Sequence, residues 1–185
     1  METSQLIFIT GGARSGKSSF AEQLAYQYQK QKDSEKLLYI ACGVSSDKEM
    51  ESRIALHQED RSKQSTYWET IEKPYALHEV VKTIPDLSIC VLDCITTLLS
   101  NELYYRPQAR ESIISDIITG VKGIVRKCSI FIVVSNEVTE SVPIQSDIVL
   151  AYQQMLGMIH QQLVKESNQA IHMNFGIPLV MKGRE

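Results

Sequence analysis

Short continuous apolar runs alternate along the chain with longer segments of helical periodicity. LIFIT at 6–10 ends at Gly11 and Gly12, KLLYIA occupies 36–41, SICVLD 88–93, and SIFIVVS 129–135 is the most β-like segment. Runs of this length bounded by turn residues read as strands buried on both faces. YWETIE at 67–72 alternates like a short strand closed by Pro74, and QAIHMN and IPLVMK near the end give one or two closing strands. Between them, 17–32 turns helical with Phe20, Leu24 and Tyr28 on one face. The segment 46–61 is a polar helix capped by Ser46 or Asp47, with Glu49 in its first turn. Further helices are expected over 75–83, ahead of Pro85, over 95–103, over 108–127, where Gly120 and Gly123 weaken the pattern, and over 146–167, capped by Ser146 or Asp147. Buried strands alternating with helices predict an α/β domain with a mostly parallel sheet covered on both faces. No internal repeat or linker interrupts it, so residues 1–185 are expected to form one domain.

Composition agrees. With 185 residues, 43% apolar and 22% charged, the chain can bury a real core. A net charge of −3 and a pI of about 5.8 give no electrostatic case for nucleic acid or an anionic membrane. No apolar stretch reaches the ~18 residues of a membrane span, and the first residues lack the basic start of a signal peptide. Cys42, Cys90, Cys94 and Cys128 are not spaced as zinc knuckles, and a chain of this size needs no disulfide. Cys42, Cys90 and Cys128, in or beside predicted strands, read as buried free thiols, and the expected location is cytoplasmic.

GGARSGKS at 11–18 is a complete G-x-x-x-x-G-K-S match lying directly between a strand and a helix. In that setting the backbone of Gly11, Gly12, Ala13, Arg14, Ser15 and Gly16, with the helix N-terminus, forms an anion cradle. Lys17 would reach the β- and γ-phosphates and Ser18 would bind Mg²⁺. Asp93, ending an apolar strand, suits the second magnesium-holding acid, although an aspartate at a strand end is also an ordinary turn residue.

Glu49, Arg53, His57 and Arg61 recur every four residues and form a stripe on one helix. Two guanidiniums flanking an imidazole can clamp phosphate around a nucleophile; the same spacing also describes a solvated, salt-bridged face. His78, His160 and His172 have no comparable setting and read as ordinary surface or core residues.

Taken in order, ITGGARSGKS, LYIA, EMESRIALH with Arg61, WETIE, LDCITTLLSN, VVSNEV and VP resemble the bifunctional adenosylcobinamide kinase / adenosylcobinamide-phosphate guanylyltransferases of cobalamin biosynthesis. The loop is shared by many NTPases; E-M-x-x-R-I-x-x-H and L-x-C-I-T-T are specific. The resemblance implies a RecA-like P-loop NTPase fold, usually trimeric. It implies ATP and GTP as substrates, Mg²⁺ as cofactor, and a corrinoid, adenosylcobinamide, as acceptor. It also implies that His57 carries a covalent GMP and is catalytic with Lys17. Nucleotide binding then falls to Gly11 through Ser18, Arg53, Arg61 and Asp93, and the metal to Ser18 and Asp93. Two stretches depart from the family pattern. Thr139 and Ser141 replace two glycines after NEV, and an arginine-rich helix is replaced by one bearing Leu150, Tyr152, Gln153, Gln154 and His160, in which Gly157 and Gln161 keep the family's residues. Two rival readings are a P-loop kinase for another small alcohol and a nucleotide-binding subunit without catalysis.

Overall fold

The computed structural model describes residues 4–31, 36–43, 67–106, 108–138 and 146–183. Its strands are β1 (Gln5–Gly11), β2 (Leu37–Ala41), β3 (Trp68–Glu72), β4 (Ser88–Asp93), β5 (Cys128–Val134), β6 (Gln169–Asn174) and β7 (Ile177–Lys182). The described helices are α1 (Lys17–Gln31), α2 (Ile95–Tyr105), α3 (Arg110–Val125) and α4 (Asp147–Glu166). The expected helix over 46–61 lies outside the described residues, and with it Glu49, Arg53, His57 and Arg61; so do Thr139 and Ser141.

The strands form one seven-stranded sheet in the order β3-β2-β4-β5-β1-β6-β7. All neighbouring pairs are parallel except β6 and β7, which close the sheet as an antiparallel hairpin. Alternation along each strand divides the core into two layers. Leu6, Phe8, Cys90, Leu92, Phe131 and Val133 point to a cluster shared with α2, α3 and α4. Ile7, Ile9, Ile89, Val91, Ile130 and Ile132 point to the other, under Ala21 and Ala25 of α1. Burial on both faces is why these strands read as unbroken apolar runs.

One element departs from expectation. Residues 75–83 hold a six-residue 3-10 helix, Leu77–Lys82, entered through left-handed Ala76 (φ 53°). Glu102 of α2, 1% exposed, fixes that entry: its carboxylate accepts the Ala76 N–H at 2.7 Å and pairs with Arg106 at 3.2 Å. The two α3 glycines let the short helix lie close. A Cβ on Gly120 would stand 3.1 Å from the His78 nitrogen, and one on Gly123 would stand 2.8 Å from Val81 Cγ2. Their weak helix propensity is therefore offset by close packing rather than marking a break.

Candidate nucleotide-binding site

Parallel strands put their carboxyl ends on one edge of the sheet, where open α/β folds bind ligands. The 11–18 loop leaves β1 at that edge and enters α1. Gly11 has φ +150°, and a Cβ there would lie 2.3 Å from the Met173 carbonyl oxygen of β6. The first glycine is thus demanded by the neighbouring strand, not only by a phosphate. Gly16 (φ +87°) and Arg14 (φ 58°) take left-handed backbone that curls the loop before the Phe20 N–H meets the Gly16 carbonyl at 2.9 Å. The β6–β7 turn braces the loop from outside, with the Gly176 N–H donating to the Ser15 carbonyl at 3.2 Å. Lys17 is 5% exposed and lies over its own loop, donating to the Gly12 carbonyl at 2.5 Å and the Ser15 hydroxyl at 3.3 Å.

Asp93 ends β4, with β5 between it and β1. At the usual strand spacing this separates the two strand ends by about 9–10 Å. The Tyr39 hydroxyl donates to Asp93 Oδ2 at 2.7 Å, fixing the carboxylate. Among the described residues its Oδ1 has no hydrogen-bond partner. Cys42 and Cys94 flank it as buried thiols. Burial first, and then neighbouring Cys94 and Asp93, push the Cys42 thiol up; Cys94 is raised by burial and by Asp93. Both stay protonated near neutral pH, as does Cys90, so none is an activated nucleophile. All four cysteines are free and buried, as expected of Cys42, Cys90 and Cys128.

The segments LDCITT and VVSNEV interlock at the β4 and β5 ends. The Asn136 backbone N–H and side-chain amide both donate to Thr96 Oγ1 at 3.2 Å, and Thr96 Oγ1 lies 3.1 Å from Cys94 Sγ. Helix α4 adds its own contacts through residues that break the family pattern. The Tyr152 hydroxyl donates to the Thr96 carbonyl at 2.9 Å, and the Gln153 amide donates to the Val138 carbonyl at 3.1 Å.

Two histidines with no motif around them are bound into this edge. His160 of α4 is 2.7 Å from the Ser135 hydroxyl, and burial lowers its pKa, so the ring is neutral. His172 of β6 places Nδ1 3.1 Å from Glu137 Oε1, which also accepts the Thr10 hydroxyl at 3.4 Å. The Glu137 backbone N–H donates to the Gly11 carbonyl at 3.0 Å, so this carboxylate adjoins the phosphate loop. No motif marks Glu137, and His172 and His160 read from the sequence as ordinary residues. The available signal was an acid just past an apolar strand, the same signal that singled out Asp93. His78 is exposed on the 3-10 helix, as an ordinary surface residue would be.

The loop, Asp93 and Glu137 thus occupy neighbouring strand ends on one edge. The family model for cobinamide kinase / cobinamide phosphate guanyltransferase matches residues 7–181. The chain belongs to that family. It is a transferase of cobalamin biosynthesis with both activities, kinase and guanylyltransferase, using ATP and GTP with Mg²⁺. It is 31% identical to the bifunctional adenosylcobalamin biosynthesis protein CobU of Escherichia coli (strain K12), over 96% of this chain and 99% of that one. It is 30% identical to the corresponding CobP of Pseudomonas aeruginosa, over 95% of this chain and 96% of that one. Two solved structures share the fold. The flagellar accessory protein FlaH of Methanocaldococcus jannaschii has a TM-score of 0.52 at 16% identity, covering 100% of this chain and 80% of that one. The KaiC-like protein PH0186 of Pyrococcus horikoshii OT3 has a TM-score of 0.54 at 13% identity, covering 99% and 81%. The architecture is that of a RecA-like P-loop NTPase, and no described helix is long and apolar enough to cross a membrane.

Proposed function

We propose that residues 1–185 act as one P-loop domain whose 11–18 loop serves both reactions of the family on a corrinoid acceptor. In the first, the γ-phosphoryl group of ATP or GTP passes to the hydroxyl of adenosylcobinamide. In the second, GMP from GTP is transferred to the resulting phosphate, giving adenosylcobinamide-GDP and pyrophosphate. The observation that carries this reading is the loop itself: a complete motif in left-handed curl, braced by β6, with a buried lysine folded over it.

Gly11, Gly12, Ala13, Arg14, Ser15, Gly16 and Ser18 would present backbone N–H groups to the phosphates, and Lys17 would neutralise charge that develops on them. Ser18 and Asp93 offer a hydroxyl and a carboxylate, an all-oxygen set that suits a hard divalent cation such as Mg²⁺. Asp93 retains one carboxylate oxygen with no partner among the described residues, as a ligand position requires. When bound there, Mg²⁺ would neutralise phosphate charge and orient the chain of phosphates. His57 would attack the α-phosphorus of GTP, forming a phosphorus–nitrogen bond as the bond to pyrophosphate breaks. Arg53 and Arg61, four residues before and after it in the sequence, would steady the phosphates. The phosphate oxygen of the corrinoid then displaces the histidine from GMP. The subunits would assemble as a homo-oligomer, a trimer, with no nucleic acid partner.

Incubation with α-labelled GTP tests this. The expected product is an acid-labile, base-stable adduct mapping to the peptide 54–61. An adduct on another residue, or none, would contradict the reading.

A further inference from the structure

We propose that Glu137 is the proton acceptor of the kinase reaction and that His172 is its positioning residue. The inference deepens the reading above, since it requires the 11–18 loop to hold the triphosphate.

Three neighbouring strands build the group. Thr10 belongs to β1, His172 to β6, and Glu137 lies three residues past the end of β5, with β5, β1 and β6 adjacent. The Glu137 N–H is tied to the Gly11 carbonyl at 3.0 Å, so the carboxylate stands at the mouth of the loop. Both of its described hydrogen bonds, from Thr10 and His172, converge on Oε1. Oε2 has no partner among the described residues. The pair is only partly buried, with Glu137 23% and His172 29% exposed, so an acceptor hydroxyl can reach it.

Its side of the sheet also fits. Thr10 alternates in phase with Phe8 and so lies on the α2–α4 face; Asp93 is in phase with Val91 and lies on the α1 face. The two carboxylates therefore flank the loop from opposite faces, one suited to a cation and the other to a proton. Among the described residues, the remaining titratable group facing Glu137 is His160 of α4, whose ring is engaged by Ser135 and feels the Glu137 charge.

In the step, the hydroxyl oxygen of adenosylcobinamide bonds to the γ-phosphorus, and the β–γ bridging bond breaks with its electron pair leaving on the nucleoside diphosphate. The hydroxyl proton passes to Glu137 Oε2 and is lost to solvent after the product leaves. A hydrogen bond from His172 to Oε1 holds the carboxylate in orientation. Guanylyl transfer involves no hydroxyl proton, because its nucleophiles are an imidazole and a phosphate ester; Glu137 has no role there.

The test compares wild type, Glu137→Gln, Glu137→Asp, His172→Gln and Lys17→Ala in two assays: steady-state phosphorylation of adenosylcobinamide by ATP, and covalent labelling by α-labelled GTP alone. Glu137→Gln should lower kcat about 10²–10³-fold, the range of a lost general base. KM for ATP should stay within about threefold and labelling should be unchanged. Glu137→Asp should recover part of kcat, and His172→Gln should lower kcat about tenfold at constant KM. A Glu137→Gln enzyme with kcat within about threefold of wild type, beside an inactive Lys17→Ala, would overturn the proton-acceptor assignment alone. Equal loss of phosphorylation and labelling in folded Glu137→Gln would overturn it too, by showing a structural role. Phosphorylation surviving in Lys17→Ala would instead overturn the loop reading on which the inference rests.

Discussion

Asn136 reaches the Thr96 hydroxyl oxygen twice, with its backbone N–H and its side-chain amide, each at 3.2 Å. An oxygen accepting two hydrogen bonds has both lone pairs engaged. Its own hydrogen is then directed to Cys94 Sγ, 3.1 Å away. One hydroxyl thus joins the end of β4 to the end of β5, next to Asp93 on one side and Glu137 on the other.

Thr96→Val keeps the shape and removes that oxygen, leaving two Asn136 donors without their acceptor. The expected loss is about 2 kcal/mol of stability, or about 4–8 °C in Tm for a domain of this size. Thr96→Ser should lose less than half as much. Thermal unfolding of the three proteins checks this; a Val variant as stable as wild type would show that the joint carries no stability.

The first two glycines of the loop should behave differently. An added methyl at Gly11 meets the Met173 carbonyl oxygen at 2.3 Å, whereas one at Gly12 has nothing within 4 Å. Gly11→Ala should therefore both destabilise the fold and weaken nucleotide binding at least tenfold. Gly12→Ala should change stability by less than about 0.5 kcal/mol. Urea unfolding and nucleotide titration of both variants separate the two cases.

Much of this was legible in the sequence, for reasons that particular elements make plain. The strands at β1, β4 and β5 are buried on both faces, so their apolar runs are unbroken, and the loop is local in sequence and recognisable by spacing. The 3-10 helix at Leu77–Lys82 was not legible. Its shape depends on Glu102, 26 residues downstream of Ala76, and on the flat surface left by Gly120 and Gly123. The pairing of Glu137 with His172 is not legible for the same reason. They lie 35 positions apart, and only the placing of β1 between β5 and β6 brings them together.

Glu102 itself is testable. Glu102→Ala removes the acceptor of a buried N–H and the partner of Arg106, which should cost about 1–3 kcal/mol. Glu102→Gln keeps an acceptor for Ala76 and should recover most of the loss. Denaturant midpoints at constant m-value are the measurement; a midpoint unchanged in the Ala variant would contradict the role assigned to this carboxylate.

His160 gives stability a pH dependence of known sign. Burial lowers its folded pKa below the unfolded value of about 6.5. Between those two values the unfolded chain binds more protons, so the contribution is present above about pH 6.5 and is lost as pH falls through the folded pKa. His160→Gln, which keeps a hydrogen-bonding group opposite Ser135, should flatten this fall. The comparison is the change in urea midpoint between pH 7.5 and 5.5 in wild type and variant; equal changes would place the proton uptake elsewhere.

Under the proposed function, one loop serves two chemically distinct transfers and only the second passes through His57. Separation of the corrinoid products formed from adenosylcobinamide and GTP by wild type, Lys17→Ala and His57→Ala tests it most directly. Wild type should yield adenosylcobinamide-GDP, Lys17→Ala neither product, and His57→Ala should stop at adenosylcobinamide phosphate. Adenosylcobinamide-GDP formed by His57→Ala, or phosphate formed at wild-type rate by Lys17→Ala, would contradict it.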